Sequence, residues 1–438
     1  MFTSTHLLHQ RRFAPLFATQ MFNAFNDNLY KNAMVLFVVY NIYESAKDET
    51  MFSGLASAVF VLPFFLFSAL AGQLADMRDK ASIIRWVKLV EIAIMIVGAT
   101  GLVLASEGIM VKTLAMPLLF LALGAMGVHS TFIGPIKYSI LPQHLKREEV
   151  LAGTGLVEAG TYIAIMSGTI LAGFISVELA AALVVMVAIA GYFTSRQIPP
   201  APPLAGEQEI DFHPIRSSVQ LVRDIMHQHE VFYAILAISF FWTIGAVLFI
   251  QFPPLAKNVL FASQEVASLF LVVFSVGVAI GSVAINALLK GNVSARYATV
   301  SVVTMGVFVA AFYFVCRSWR ANVEVEVDHL MGLSEFVVQP LAPYVLATLL
   351  LIAVFGGMFV VPLYAFLTTK VEPHRASRAV AANNIVNAGA MVGGSLMALA
   401  LSALHIPLTE QLLLSSAMCL VSAWLGSLLY AAEKRAAA

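Results

Sequence analysis

Charge is what this sequence lacks first. Asp, Glu, Lys and Arg make up 11% of its 438 residues, against 60% hydrophobic residues. A soluble domain carries about 25% charged and 45–50% apolar residues. So few ions cannot cover a water-facing surface of this size, which excludes an ordinary soluble globule and indicates a membrane protein. The net charge is zero, so no basic excess exists to hold nucleic acid, and none is expected as a partner. Cysteine is nearly absent: Cys316 and Cys419 lie in or beside apolar runs, in no metal-ligand spacing, and read as small core hydrophobes. No Gly-x4-Gly-Lys-Ser/Thr loop occurs, which argues against ATP-driven chemistry by this chain alone. No histidine has Asp five residues on; His144 and His405 have Glu149 and Glu410 there, in loops on opposite faces. That removes the His-x4-Asp base of glycerolipid acyltransferases and makes a membrane-embedded acyltransferase the weaker reading. No cofactor or metal is expected.

What the sequence has is long apolar runs. A spanning helix needs about 20 mainly apolar residues, and backbone groups in hydrocarbon must be paired within the helix. Candidate spans fall near 13–40, 52–75, 84–105, 113–136, 151–175 and 179–196, then near 231–252, 265–289, 297–317, 344–368, 380–403 and 409–431. The stretch behind Arg11 and Arg12 holds Asn and Asp and lacks a small-residue cleavage site. It therefore reads as the first span, with no signal peptide. With a cytoplasmic N-terminus, the outer side takes Lys31, Lys47, Lys112, Lys257, Arg317 and Arg320, and the rest of the 25 Lys and Arg fall inside. The positive-inside rule then predicts a multi-pass protein with both termini cytoplasmic. The expected fold is all-α and integral to the membrane: twelve helices in two pseudo-symmetric six-helix bundles, residues 1–197 and 231–438. Residues 198–230 form a cytoplasmic linker, opening on Pro199-Pro200-Ala201-Pro202-Pro203. In it Ile215, Val219, Val222 and Met226 recur at helical spacing and predict an amphipathic helix on the inner membrane surface. The longest outer loop contains an alternating stretch, Val323 to Val327, that predicts a short strand.

The two halves repeat locally. Gly134-Pro135-Ile136-Lys137 leads into Gly155-Leu156-Val157-Glu158-Ala159-Gly160, and Val361-Pro362-Leu363-Tyr364 leads into Asn384-Ile385-Val386-Asn387-Ala388-Gly389. Pro135 and Glu158 are 23 residues apart, Pro362 and Asn387 25; a two-residue loop insertion aligns them. Repeated six-span halves are what alternating-access transporters are built from. Under this alignment Lys137 corresponds to Tyr364 and Glu158 to Asn387, so charge in the first half becomes neutral polarity in the second.

Ionisable groups at bilayer depth are costly and by default face a cavity or a partner. The first half has Asp27 and Lys31 in helix 1, Lys88 and Glu91 in helix 3, Lys137 in helix 4 and Glu158 in helix 5; the second half has almost none. Lys31 stands one turn after Asp27, in position to pair with it. Alternatively, Asp27 is a cavity-facing carboxylate that binds a cationic group. Lys137 follows Pro135, which removes a helix hydrogen bond beside the charge, and is either a phosphate contact or an interfacial lysine reaching lipid phosphate. Lys88 and Glu91 read as a local ion pair. One charged wall and one apolar wall suit an amphipathic substrate. A drug, sugar or organic-anion carrier is the alternative.

Gly72-Gln73-Leu74-Ala75-Asp76-Met77-Arg78-Asp79-Lys80 joins helices 2 and 3. It resembles the loop signature of the major facilitator superfamily, in which Gly72, Asp76 and Arg78 take structural and gating positions. With Phe25-Asn26-Asp27-Asn28, Gly134 to Tyr138, Gly155 to Ala159 and Phe359 to Leu363, the chain resembles the lysophospholipid transporter family of that superfamily over most of its length. The resemblance implies a flippase of the bacterial inner membrane. Such a protein moves lysophosphatidylethanolamine and lysophosphatidylglycerol from the outer to the inner leaflet, as a monomer, toward an acyltransferase at the cytoplasmic face. It assigns substrate-binding or gating positions to Asp27, Asn28, Lys31, Lys137, Tyr138, Glu158, Gln251 and Asn387. One departure stands out. Where some members place an arginine in helix 7, this sequence has Phe249, with Gln251 the nearest polar group.

Overall fold

The computed structural model describes residues 4–42, 46–204, 210–322, 330–404 and 406–437. Among the described residues the chain is helical almost throughout, with one isolated bridge between Ala262 and Met331. The stretch Val323 to Val327 and His405 lie outside the described residues. The helices are α1 Ala14–Asn41, α2 Ala46–Met77, α3 Lys80–Ser106, α4 Met116–Ser139, α5 Leu141–His144, α6 Val150–Phe174, α7 Val177–Ser195, α8 Pro214–Met226, α9 His229–Asn258, α10 Gln264–Leu289, α11 Ala298–Asn322, α12 Leu333–Val337, α13 Ala342–Thr369, α14 Ala376–Ala403 and α15 Leu408–Ala437. Leaving out the short α5, α8 and α12, twelve remain, each within a few residues of a predicted span. Ten are long and apolar enough to cross a bilayer by length and composition alone. The other two, α1 and α14, are interrupted by polar residues: Asn23, Asn26, Asp27, Asn28, Lys31 and Asn32 in α1, and Asn383, Asn384 and Asn387 in α14.

The chain divides into two compact units. One is Met1–Ile225 with Thr368–Ile385, and the other is Met226–Leu367 with Val386–Ala438. In the first, α1 packs on α6 and α7, α3 on α4 and α7, and α2 on α4. Leu29, Tyr30, Met34, Met95, Leu119 and Val184 share its core. The Tyr30 hydroxyl, buried among them, donates to the Leu119 carbonyl at 3.0 Å, as a polar group in that setting must. In the second, α15 packs on α9 and α11. The buried Trp319 ring stacks on Phe336 with centroids 5.2 Å apart. Cys316 and Cys419 are both free and buried, as expected of small core hydrophobes.

Lipid tails are as apolar as leucine, so close backbone contact, more than hydrophobic burial, joins spanning helices. The tightest approach is at Gly281 of α10, where a Cβ would stand 1.9 Å from the Val354 carbonyl oxygen of α13. That obstacle is backbone and cannot rotate away. Gly281→Ala is therefore expected to push α10 off α13 and cost about 1–3 kcal/mol. This reads as a lowered melting temperature of the purified protein in detergent; an unchanged one would show that the two helices separate freely.

The linker helix forms as α8, and the face it packs on protein is not the apolar stripe. Ser217, Ser218, Leu221 and Ile225 are buried, while Ile215 and Val219 remain 59% and 64% exposed. Two contacts place it along α2: the Asp211 amide donates to Gln73 at 3.0 Å and the Ser218 hydroxyl to the Phe65 carbonyl at 3.4 Å. Two small serines let the helix axis come close there, which the larger Ile215 and Val219 could not. Ahead of the helix, Arg216 bonds both carboxylate oxygens of Asp211 at 2.9 and 3.0 Å and, with the His213 amide, holds that carboxyl down to about 2.

Candidate functional site

The polar residues of α1 occupy the middle of a spanning helix, and their partners come from α3 and α4. Lys88 and Glu91 of α3 form an ion pair with both side chains fully buried. The Glu91 carboxylate also accepts from the Asn26 amide at 2.8 Å and lies 3.2 Å from Nε2 of His129 on α4. Lys88 is 3.5 Å from Oδ1 of Asn23. It lies against Gly191 of α7, where a Cβ would come within 2.7 Å of the lysine Cε. Asp27 accepts from Ser130 of α4 and, at 3.2 Å, from Asn23; its other oxygen, Oδ1, is buried with no donor among the described residues. Five polar side chains of α1 and α3 thus meet two of α4 inside the first unit.

This differs from the pairing that sequence spacing offered. Among the described residues Asp27 makes no ion pair with Lys31. The lysine ammonium sits 5.5 Å from the centre of the Phe60 ring of α2, a cation–π arrangement. Asn28 donates to the Ala24 carbonyl of its own helix at 2.8 Å. The Lys88–Glu91 pair forms as expected.

A second cluster lies toward the end of α4. Lys137 stands 3.5 Å from Glu158 of α6, its Nζ 4.9 Å from the centre of the Tyr138 ring. Gln20 of α1 donates to the Lys137 carbonyl at 3.1 Å. Glu158 is 2% exposed and Lys137 19%, so the cation is the accessible member. In the second unit the aligned positions meet at the same separation: the Asn387 amide is 3.5 Å from the Tyr364 hydroxyl. Trp242 donates to that hydroxyl at 2.8 Å and Ser239 to Asn387 at 2.6 Å. The repeat therefore conserves a contact while exchanging an ion pair for a neutral hydrogen bond. Gln251 is buried and donates to Gln411 at 3.0 Å; the Phe249 side chain lies outside the described residues.

In the loop signature, Asp76 accepts from the backbone amides of Ser377 and Arg378 at 3.0 and 3.2 Å, with the Arg378 guanidinium 3.8 Å away. These are among the first amides of α14, where a carboxylate meets unpaired donors and the positive end of the helix dipole. The following helix, α3, is capped instead by Asp79, which accepts from Ser82 at 2.8 Å. Gly72 faces Ala381 of the same α14 segment. Arg78 is exposed.

The sequence reading missed His129, Ser130, Asn23, Asn26 and Gln20. A histidine followed by serine in the middle of an apolar helix was the available signal. Asn23 reaches Asp27 one turn along its own helix, while Asn26, Gln20, Ser130 and His129 meet partners on other helices that no spacing could reveal.

Comparison with known proteins agrees with this architecture. A family model for the Major Facilitator Superfamily matches residues 16–325. The chain is similar to the lysophospholipid transporter LplT of Photorhabdus laumondii, at 24% identity over 80% of this chain and 78% of that one. It is similar to that of Serratia proteamaculans at 25% over 88% and 85%, and to that of Cronobacter sakazakii at 26% over 86% and 84%. Among solved structures, its fold is similar to the human organic anion transporter MFSD10, with a TM-score of 0.72 at 12% identity, covering 95% of this chain and 99% of that one. A bacterial homologue of the iron transporter ferroportin in the outward-facing state gives 0.69 at 14%, covering 96% and 98%.

Proposed function

The chain belongs to the major facilitator superfamily, and we propose that this transporter moves lysophospholipids from the outer to the inner leaflet of a bacterial inner membrane by alternating access. The observation that carries this reading is the conserved contact with unequal charge. Lys137–Glu158 in the first unit is answered by Tyr364–Asn387 in the second. A lysophospholipid has the same division, with a charged head and an apolar tail. The accessible ammonium of Lys137 is the phosphate contact, and Glu158 holds it in place while the site is empty. Asp27, with Asn28 and Lys31 on the same helix, receives the cationic end of an ethanolamine head. Gln251 and Asn387 give the second unit neutral polar contacts. The lysophospholipid transporters to which the chain is similar support the substrate class.

The protein works as a monomer with both termini cytoplasmic, and delivers its substrate to an acyltransferase at the inner face. The test is leaflet-to-leaflet movement of labelled lysophosphatidylethanolamine in proteoliposomes. Wild-type protein is expected to accelerate it and Asp27→Ala to abolish that acceleration. No acceleration by folded wild-type protein, with binding of a soluble organic anion instead, would overturn the lipid reading and leave the superfamily assignment intact.

A further inference from the structure

Pro199-Pro200-Ala201-Pro202-Pro203 is extended chain by its own chemistry. Each proline fixes its φ near −65° and pushes the residue before it out of the helical region. Such a stretch favours the polyproline II helix, three residues to the turn, which has no internal hydrogen bonds. Its carbonyls need partners elsewhere, and in an ordinary surface loop water supplies them. Here the partners are protein. Arg85 donates to the Ile198 carbonyl at 2.8 Å and Gln143 to the Pro202 carbonyl at 3.2 Å. The Lys80 amide donates to the Ala201 carbonyl at 3.0 Å, and the Ala201 amide donates back to Asp79 Oδ2 at 3.1 Å. Nε2 of His144 lies 3.4 Å from the Pro200 carbonyl; a carbonyl only accepts, so that nitrogen carries the hydrogen. Burial follows the same three-residue turn. Ile198 and Ala201 are 1% and 0% exposed, while Pro200 and Pro203 face out.

Two walls hold the segment. One is the turn between α2 and α3 with the start of α3, which supplies Asp79, Lys80 and Arg85. The other is α5, which follows α4 after Ile140 and supplies Gln143 and His144. Each wall is fixed from behind. Asp79 caps α3 through its other oxygen, taking the Ser82 amide at 2.8 Å. Arg12 donates to the His144 carbonyl at 3.1 Å and to Glu149 at 2.8 Å. We propose that residues 198–202 are an intramolecular ligand, recognised in a groove built for extended proline-containing chain, and that their docking keeps the start of α3 and the end of α4 in the register at which Lys137 meets Glu158 and substrate. The second half of this statement rests on the transport reading; the docking itself does not. Lys137 stands two residues before the end of α4, so a shift of α5 is felt at its ammonium. A proline segment suits such a tie, because it is extended beforehand and loses little freedom on binding. The groove reads backbone carbonyls and a three-residue turn. Only Ala201, fully enclosed, is held to a small side chain.

Ala201 carries the only backbone N–H between Pro199 and Pro203, so hydrogen exchange within those residues reads its bond to Asp79 alone. In the purified full-length protein this amide should exchange about 10–100-fold more slowly than in free chain, the worth of a hydrogen bond to a carboxylate. Asp79→Ser keeps a good helix cap but is too short to reach Ala201, and should bring the amide to the free-chain rate. Ala201→Trp should release the segment too, and Leu204→Trp, the same bulk just past the docked residues, should leave it protected. In proteoliposomes Asp79→Ser and Ala201→Trp should flip labelled lysophosphatidylethanolamine about tenfold more slowly, the worth of one misplaced hydrogen bond, and Leu204→Trp at the wild-type rate. A protected Ala201 amide with no lysolipid movement by wild type would uphold the docking and remove the transport reading. Protection lost in both variants with flipping unchanged would overturn the link to Lys137. An Ala201 amide that exchanges at the free-chain rate in wild type would overturn the whole proposal and leave the transport reading standing, and that measurement needs no variant to fold.

Discussion

Glu91→Leu is expected to be among the most destabilising single substitutions in the protein, at about 3–5 kcal/mol, because it leaves Lys88 as an unpaired cation with no exposure to water. The lysine cannot reach an interface. Gly191 was needed to admit its stem, and Asn23 is its remaining polar neighbour at 3.5 Å. The reverse change, Lys88→Met, should cost less, because Glu91 keeps the Asn26 amide at 2.8 Å and has His129 at 3.2 Å. The double variant Lys88→Met/Glu91→Leu, which deletes both ions and keeps their volume, should recover much of the loss, since a buried pair gains little over a well-packed apolar pair. Thermal unfolding of the three variants in detergent gives the cycle directly. A Glu91→Leu protein as stable as wild type would show that water reaches Lys88. The asymmetry between the single variants reports whether His129 belongs to the network energetically as well as geometrically.

Ten of the twelve long helices among the described residues were legible because each is a run of about 20 mainly apolar residues, a pattern that needs no knowledge of neighbours. The repeat was legible for a similar reason: Pro135 and Pro362 mark the same place, and the residues that follow keep their order. Its consequence, that the aligned pairs touch at 3.5 Å in both units, follows from two helices of each unit packing alike. What local reasoning could not supply was the choice of partner. Asp27 and Lys31 are one turn apart, yet the serine of α4 takes the carboxylate and the Phe60 ring takes the ammonium. Asp76 stands at the end of α2, yet it binds amides about three hundred residues away while Asp79 caps α3. In α8 the apolar stripe and the face packed on protein are different faces. Periodicity finds the apolar face, but a helix that packs on protein through serines buries its small residues, and the apolar face is left beside the contact. The missing helix 7 arginine is the departure with most consequence. Among the described residues the buried lysines, Lys80 and Lys88, stand on α3, with Lys31 of α1 half-buried, so a charge exchange of the kind that arginine would allow is expected to use Lys31 or Lys88.

Lys137→Ala should reduce lysophospholipid flipping by about 10–100-fold, the worth of one charge-assisted hydrogen bond to phosphate. The expectation follows from the inequality within its pair: Glu158 is enclosed and Lys137 is the member that reaches outward. A phosphate oxygen arriving at Nζ replaces an ion pair that is only 3.5 Å long, so little is lost when the lysine turns to substrate. Loss of the lysine alone also strands Glu158, and a folding defect would imitate a binding defect. The double variant Lys137→Gln/Glu158→Gln separates them. It should fold, because each amide can bond the other as Tyr364 and Asn387 do, and still fail to flip, because the cation is gone. Glu158→Gln alone should act in the opposite sense. With its competitor neutralised, Lys137 meets phosphate unopposed, and KM for lysophosphatidylglycerol should fall more than KM for the ethanolamine lipid, whose own cation loses an anionic neighbour. Initial rates over a substrate series, with surface display checked for each variant, decide between the two roles. A Lys137→Gln/Glu158→Gln protein that folds and flips at the wild-type rate would make the pair a structural tie, and would move the headgroup contact to Asp27 and Lys31.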